Sequence, residues 1–279
     1  MNKTSTIILV ISLLLLNSVI GANENNDQQA EIKPTEKTYR NNEGKGLAII
    51  MELDQRDTGW VDNQAELKML LKNRHGDIHA RNLKMKMMEV PGDGDKSLSI
   101  FNSPKDIKGT AFLSFTHALE PDEQWLYLPA VKRVKRISSR NKSGPFLGSE
   151  FAFEDLSSFE VKKYKYNYLH DEKLDRIDCF VIESFPQYQH SGYTRILTWV
   201  DKQRYIVLKM VYYDRKNSLL KTQTFHGYNQ YLKKFWRPDG MHMVNHNNGK
   251  STQLLWENYQ FSKGLTKRDF DRNSLKRAR

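Results

Sequence analysis

The residues best suited to binding chemistry lie between Trp125 and Phe159, in the stretch WLYLPAVKRVKRISSRNKSGPFLGSEFAFEDLSSF. Clustered cations of this kind can clamp phosphate or carboxylate groups. The cations are Lys132, Arg133, Lys135, Arg136, Arg140 and Lys142. The alternative is a solvated outer strand that is kept charged to prevent edge pairing. Because the basic run adjoins the most apolar part of the chain, we predict contact with an acidic headgroup or an acidic partner.

The apolar segment after this basic run has no regular helical or strand period. A loop rich in Ser, Asn, Gly and Pro separates the two. The large side chains that follow are Phe146, Leu147, Phe151, Phe153, Leu156 and Phe159. We predict that this segment forms a lid or plug on a sheet. The lid residues that contact the sheet should be Phe146, Leu147, Phe151, Phe153 and Leu156.

Catalytic constellations are not evident in the chain. Ser138, Ser139 and Ser143 lie in a basic loop without a Gly-x-Ser-x-Gly elbow. Glu154 and Asp155 are adjacent, and neighbouring residues seldom face one site. The sequence has no P-loop, Gly-x-Gly-x-x-Gly or HExxH motif. We expect neither an enzyme nor a cofactor.

One stretch, Met241 to His246, resembles a soft-metal site of thioether and imidazole ligands. In a strand, His242 and His246 point to one face while Met241 and Met243 point to the other. Because the candidate ligands do not converge, we expect no metal.

The N-terminus predicts export. Lys3 precedes an apolar run from Ile7 to Leu16, and small residues at Gly21 and Ala22 offer a cleavage site. We therefore predict a signal peptide at 1–22, a flexible polar leader at 23–43 and one domain at 44–279. The net charge of +11 favours an acidic partner, and export argues against nucleic acid. The single cysteine, Cys179, permits no intrachain disulfide.

The domain begins with a helical pattern and continues as short strands. Leu47, Ile50, Met51 and Asp54 share one helical line, which Ile49 and Leu53 broaden. From Ala65 onward, apolar and polar residues alternate between turns that leave no room for crossover helices. We predict a mainly β chain with some helix (α+β), whose antiparallel sheet of about 10–11 strands curls strongly.

One face of these strands carries recurrent apolar side chains. They are Leu67, Met69, Leu83, Met85, Met87, Leu113 and Phe115. Flexible thioethers suit an adaptable binding surface, and they equally fill ordinary cores. The pattern therefore predicts a shared apolar surface and leaves open whether it is a solid core or a cavity.

The block WLYLPAVKRVKRISSRNKSGPFLGSEFAFEDL, with Lys108 to Leu113 before it, resembles the exported family of outer-membrane lipoprotein-sorting-like proteins. That family is related to the periplasmic lipoprotein carrier and its outer-membrane receptor. The resemblance implies a strongly curved antiparallel half-barrel with helices over its concave face. It also implies a hydrophobic cavity for acyl chains, a Gram-negative periplasm, and frequent association with exporters of the resistance-nodulation-division (RND) class. The classical carrier uses one arginine to govern lid opening, and Arg133, Arg136 and Arg140 are the candidates here.

These observations lead to one functional expectation and one alternative. We expect a periplasmic protein that holds a lipid or lipoprotein acyl chain, for outer-membrane trafficking or as an accessory to an RND-type exporter. The expected cavity residues are Leu67, Met69, Leu83, Met85, Met87, Leu113, Phe115, Trp125 and Tyr127. The alternative is a periplasmic adaptor or envelope-stress sensor without bound lipid, which predicts a solid core.

Overall fold

Alternating apolar residues and short turns produce a single antiparallel sheet in the computed structural model, which describes residues 36–277. The predicted signal peptide, and the leader up to residue 35, lie outside the described residues. The strands are β1 Asp62–Lys72, β2 Ile78–Met88, β3 Lys96–Ser103, β4 Ala111–Phe115, β5 Glu123–Leu128, β6 Arg133–Ile137, β7 Tyr164–Leu174, β8 Ile177–Pro186, β9 Tyr193–Asp201, β10 Val207–Asp214, β11 Leu219–Tyr231, β12 Phe235–Asn245 and β13 Ser251–Phe261. Two α-helices, α1 Glu36–Arg56 and α2 Arg272–Arg277, and five short 3-10 helices complete the fold of these residues.

The sheet has thirteen strands in the order β6-β5-β4-β3-β2-β1-β13-β12-β11-β10-β9-β8-β7. The antiparallel class is confirmed, whereas the predicted number of strands is too low. Several connections in the sheet are very short. Only Asp175 and Arg176 separate β7 from β8, and both have positive φ, as a tight hairpin requires.

The sheet is open and strongly curved. β6 and β7 are its edges, and β4 and β9 are eight strand spacings apart in the order. In a flat sheet this separation would be roughly 38 Å. One ten-residue segment nevertheless reaches both strands, because Phe146 packs on Phe112 of β4 and Asp155 accepts a hydrogen bond from Tyr193 of β9. The curved half-barrel prediction is therefore confirmed.

Helix α1 covers the concave side of β7 to β9. Its buried residues Ile49 and Ile50 pack with Tyr166, Ile182 and Val200. The helix begins at Glu36, eight residues inside the segment predicted as leader. No helix within residues 36–277 is long and apolar enough to cross a membrane.

The predicted apolar line of α1 is displaced by one residue. Leu47 and Met51 are 40% and 54% exposed, whereas Ile49 and Ile50 are buried. The reason lies at Gly46, where a Cβ atom would be 2.9 Å from the backbone nitrogen of Tyr168. The helix therefore contacts the sheet on its glycine side, which a search for large apolar residues overlooks.

The C-terminal segment covers part of the opposite, convex face of the sheet. Phe270 and Leu275 are fully buried there against Leu98, Leu113 and Trp125. Because of this cover, β3 to β5 carry buried apolar side chains on both faces.

Candidate functional site

The concave face encloses a pocket of about 1520 Å³. This volume exceeds the roughly 300–1,000 Å³ of typical small-molecule sites. The aliphatic, thioether and aromatic side chains of its sheet wall include Leu67, Met69, Leu83, Met85, Met87, Met210, Met241, Leu254 and Trp256. The loops at one end of the sheet also line the pocket, including Leu119, which is 74% exposed. The pocket therefore opens to solvent at these loops.

Five of the nine predicted cavity residues line this pocket. They are Leu67, Met69, Leu83, Met85 and Met87. All five lie on β1 and β2, where alternation places them on the concave face.

The other four predicted cavity residues do not line the pocket, which corrects the prediction. Leu113, Phe115, Trp125 and Tyr127 lie on the convex face with the C-terminal segment.

The register explains this error. Met85 pairs with Ser99, which pairs with Phe112, which pairs with Leu126. Paired residues share a face of the sheet, so Phe112 faces the concave side and Leu113 the convex side. Because both faces are apolar here, alternation alone could not show which one encloses the pocket.

The predicted lid segment packs deep on the concave face. Phe146, Phe151 and Phe153 are buried there, while Leu147 and Leu156 pack at the margin of the same cluster. The ring centroid of Phe146 lies 5.1 Å from that of Phe112 and 5.5 Å from that of Phe153. Tilted and edge-to-face contacts at these distances are favourable. Residues 146–156, which we call the plug, fill part of the concave space and also line the pocket.

Buried polar contacts anchor the plug to the sheet. The Nζ atom of Lys221 lies 2.5 Å from Oδ2 of Asp155, and both side chains are only 4% exposed. The Tyr193 hydroxyl donates to the other oxygen of Asp155 at 2.7 Å. Burial, with the nearby charge of Asp155, raises the pKa of Tyr193 well above its ordinary value, so the phenol remains a donor. None of these contacts was predicted, because Asp155 and Lys221 are far apart in sequence.

Glu154 forms a second anchor. Its Oε1 atom accepts from the Gly192 amide at 2.8 Å, and its Oε2 atom accepts from the Ser191 and Tyr188 hydroxyls at 3.0 and 3.1 Å. Burial and the neighbouring charge of Asp155 raise the pKa of Glu154. The two adjacent carboxylates thus bind different partners, Glu154 the loop between β8 and β9, and Asp155 side chains of β9 and β11. Their adjacency favoured a solvated lid edge, and this expectation is wrong because both carboxylates are buried.

A buried ion triad lies where the plug segment leaves β6 and returns to β7. The Nζ atom of Lys142 is 3.4 Å from Asp122 Oδ2 and donates to the Asp122 carbonyl at 2.7 Å, while Lys163 pairs with Asp122 Oδ1. Burial raises the pKa of Asp122, but the two ammonium groups outweigh it and hold the pKa below its ordinary value. Lys142 was predicted to contact an acidic ligand; it is instead buried against an internal carboxylate.

The other predicted cations lie outside the pocket. Lys132, Arg133, Lys135, Arg136 and Arg140 are exposed on or beside the edge strand β6. Arg136 pairs with Glu123 at 3.0 Å. None of the three candidate gating arginines lines the pocket.

The polar groups at the pocket opening include a group of carboxylates beside several cations, and the sequence did not indicate this group. Burial, reinforced by the charge of Asp95, raises the pKa of Glu160 to about 7. Burial raises the pKa of Asp95 to about 6 against the opposing hydrogen bond of Ser158. Asp54 and Glu89 also line this part of the pocket. These four residues come from three separate parts of the chain, which is why no local motif revealed them.

The carboxylates also fix the loops around the opening. Glu89 accepts from the backbone amides of Gly59 and Val61 at 2.7 and 3.0 Å. Asp93 accepts from the Ala118 amide at 2.9 Å and contacts the His117 ring at 2.8 Å. The connection from α1 to β1 and the loops of two hairpins, β2–β3 and β4–β5, are thereby joined into one rim.

A family model described as uncharacterized-protein-like matches residues 93–277. No curated protein sequence matches the chain. A crystallised domain from Vibrio parahaemolyticus, named for outer membrane lipoprotein sorting, is 54% identical; the match covers 84% of this chain and 100% of that domain, with a TM-score of 0.83.

Two further crystal structures share the fold. A DUF1329 family protein from Desulfovibrio piger is 29% identical, with 84% of this chain and 99% of that chain covered and a TM-score of 0.79. A LolA superfamily protein from Nitrosomonas europaea is 18% identical, with 82% and 98% covered and a TM-score of 0.66. These two matches show the fold, and the 54% identity to the Vibrio parahaemolyticus domain shows that the chain belongs to the family of outer-membrane lipoprotein-sorting-like proteins.

Proposed function

We propose that this protein is a periplasmic carrier that holds the acyl chains of a lipid or lipoprotein in the concave pocket and takes part in their traffic to the outer membrane. The observation that carries the proposal is the large pocket with its Met-rich wall. The name of the Vibrio parahaemolyticus relative, which refers to outer membrane lipoprotein sorting, supports the cargo class and the compartment.

The pocket wall suits acyl chains on energetic grounds. Burial of one methylene group is worth about 0.8 kcal/mol, so a few buried methylenes provide useful affinity without any specific polar contact. Met85, Met87, Met210 and Met241 adapt their shape through three rotatable bonds. Such a wall accepts chains of different length and saturation.

The plug is proposed as a fixed wall of this site. Separate anchors at Glu154 and Asp155 tie it to the sheet, and its phenylalanines are buried. Opening at this segment would expose both anchors and the aromatic cluster. Ligand entry is therefore proposed at the loop rim, where Leu119 lies.

A charge introduced into the apolar wall tests the proposal. The double variant Met85→Asp, Met87→Asp should lose binding of a fluorescent fatty acid by at least tenfold and keep the far-ultraviolet circular dichroism of the parent. Lys84→Asp is the matched control, because Lys84 is exposed on the opposite face of the same strand. Equal binding by the double variant and the parent would contradict the proposal.

The alternative adaptor predicts a solid core, and the pocket is evidence against it. An RND-type exporter remains a predicted partner. The exposed cations of β6 are proposed to contact a partner or a membrane surface, since they lie outside the pocket.

A further inference from the structure

The edge strand β6 combines a free sheet edge with an unusual concentration of charge. The stretch KRVKRISSR, residues 132–140, contains five cations and no acidic residue. Among the described residues, only Arg136 of these five has an ion-pair partner, which is Glu123 at 3.0 Å. Lys132, Arg133, Lys135 and Arg140 therefore present four unpaired positive charges to solvent.

The backbone of β6 is also available on one side. Within residues 36–277, its ladder hydrogen bonds join it to β5 alone. The other edge strand, β7, differs because helix α1 packs against it, with Gly46 close to the backbone of Tyr168. An uncovered edge strand presents a row of N–H and C=O groups that can pair with another extended chain.

We propose that β6 binds an extended acidic segment of a partner protein, which adds to the sheet as a further strand. The charge favours this occupant over a second copy of the same chain, because two β6 edges would bring five cations against five. A charged edge prevents pairing with ordinary strands. An acidic strand turns the same charge into an attraction.

The register of β6 specifies the partner's pattern. Arg133 and Lys135 lie on the concave side, where Lys135 pairs with Leu126, while Val134 and Arg136 lie on the convex side. Opposite residues of paired strands share a face and interact. An antiparallel partner should therefore carry acidic residues opposite Arg136, Lys135 and Arg133, and an aliphatic residue opposite Val134.

This proposal does not rest on lipid binding, so it can succeed or fail independently of the proposed carrier role. The probe is a fluorescent synthetic peptide with the core Glu-Glu-Val-Glu between threonines. A second peptide of the same sequence carries N-methyl groups at alternate residues on the pairing edge. N-methylation removes backbone donors and leaves the charge unchanged.

We expect the first peptide to bind and to slow amide hydrogen exchange at residues 133–137, and the N-methylated peptide to bind at least tenfold more weakly. Lys135→Glu should weaken binding at least tenfold, whereas Lys84→Glu, an exposed cation on the internal strand β2, should change it less than twofold. The proposal is overturned if both peptides bind equally, if Lys135→Glu has no effect, or if neither peptide binds. Binding to phosphatidylglycerol vesicles in the absence of peptide binding would assign the patch to a membrane surface instead, and would also overturn it.

Discussion

The buried pair Asp155–Lys221 provides a quantitative test of how the plug is held. Lys221→Met removes the ammonium group and leaves the Asp155 carboxylate in a site where both side chains are 4% exposed. Loss of one partner of a buried pair costs about 3–5 kcal/mol, because the remaining charge is buried without compensation. Asp155 keeps the Tyr193 hydroxyl and the Ala152 amide as donors, so we expect the lower end, about 3 kcal/mol.

The assay is urea and thermal unfolding followed by circular dichroism. For a protein of this size, each kcal/mol lowers Tm by about 2–4 °C, so the expected fall is roughly 6–12 °C. Asp155→Asn in the Lys221→Met background should recover part of the loss, and the double-mutant cycle gives the coupling energy.

A partly exposed pair is the matched control for this experiment. Lys86→Met breaks the 3.1 Å contact between Lys86 and Asp269, and both side chains of this pair are about one-third exposed. We expect a loss of at most about 1 kcal/mol. If Lys221→Met costs no more than Lys86→Met, the plug is not anchored by this pair and the reasoning is refuted.

Three further predictions follow from the site and its supports. The parent protein should lose stability between about pH 4.5 and pH 7, because the folded protein keeps the proton of Glu160 that the unfolded chain releases. Glu160→Gln should reduce this loss by about 1 kcal/mol, allowing for solvent screening. Unfolding at several pH values measures the effect, and an unchanged pH profile contradicts the prediction. Phe112→Ala should cost about 3–5 kcal/mol by leaving a cavity beside the plug, and a loss below 1 kcal/mol in urea unfolding contradicts it. Gly46→Val should release α1 from β7, seen as faster amide exchange in the helix, whereas Gly44→Val, with open space around it, should not.

The direction of the pH effect follows from proton binding. Below about pH 4.5, Glu160 is protonated in both folded and unfolded chains and contributes no difference. As the pH rises toward 7, the unfolded chain loses the proton and the folded chain keeps it, so the free energy of unfolding falls. Asp122, whose pKa is lowered, acts in the opposite sense at more acidic pH.

The sequence predicted the strands well where one face is polar. Leu83, Met85 and Met87 alternate with Asn82, Lys84 and Lys86, and the structure places the first set toward the pocket. The two-residue period is dictated by strand geometry, so it needs no knowledge of the partner strands.

The prediction failed where a distant segment changes the environment of a strand. Leu113 and Trp125 are buried on the convex face because Phe270 and Leu275, from the far end of the chain, cover them. The carboxylates Asp95 and Glu160 are brought together by folding alone. Long-range contacts of this kind have no local signature.

The central claim is that the pocket holds acyl chains, and native mass spectrometry of the protein purified from its own cells tests it most directly. We predict a co-purifying lipid or lipoprotein at close to one per chain, released by organic extraction and absent from the Met85→Asp, Met87→Asp variant. A clean apo mass that takes up neither phospholipid nor lipopeptide when either is added would contradict the claim.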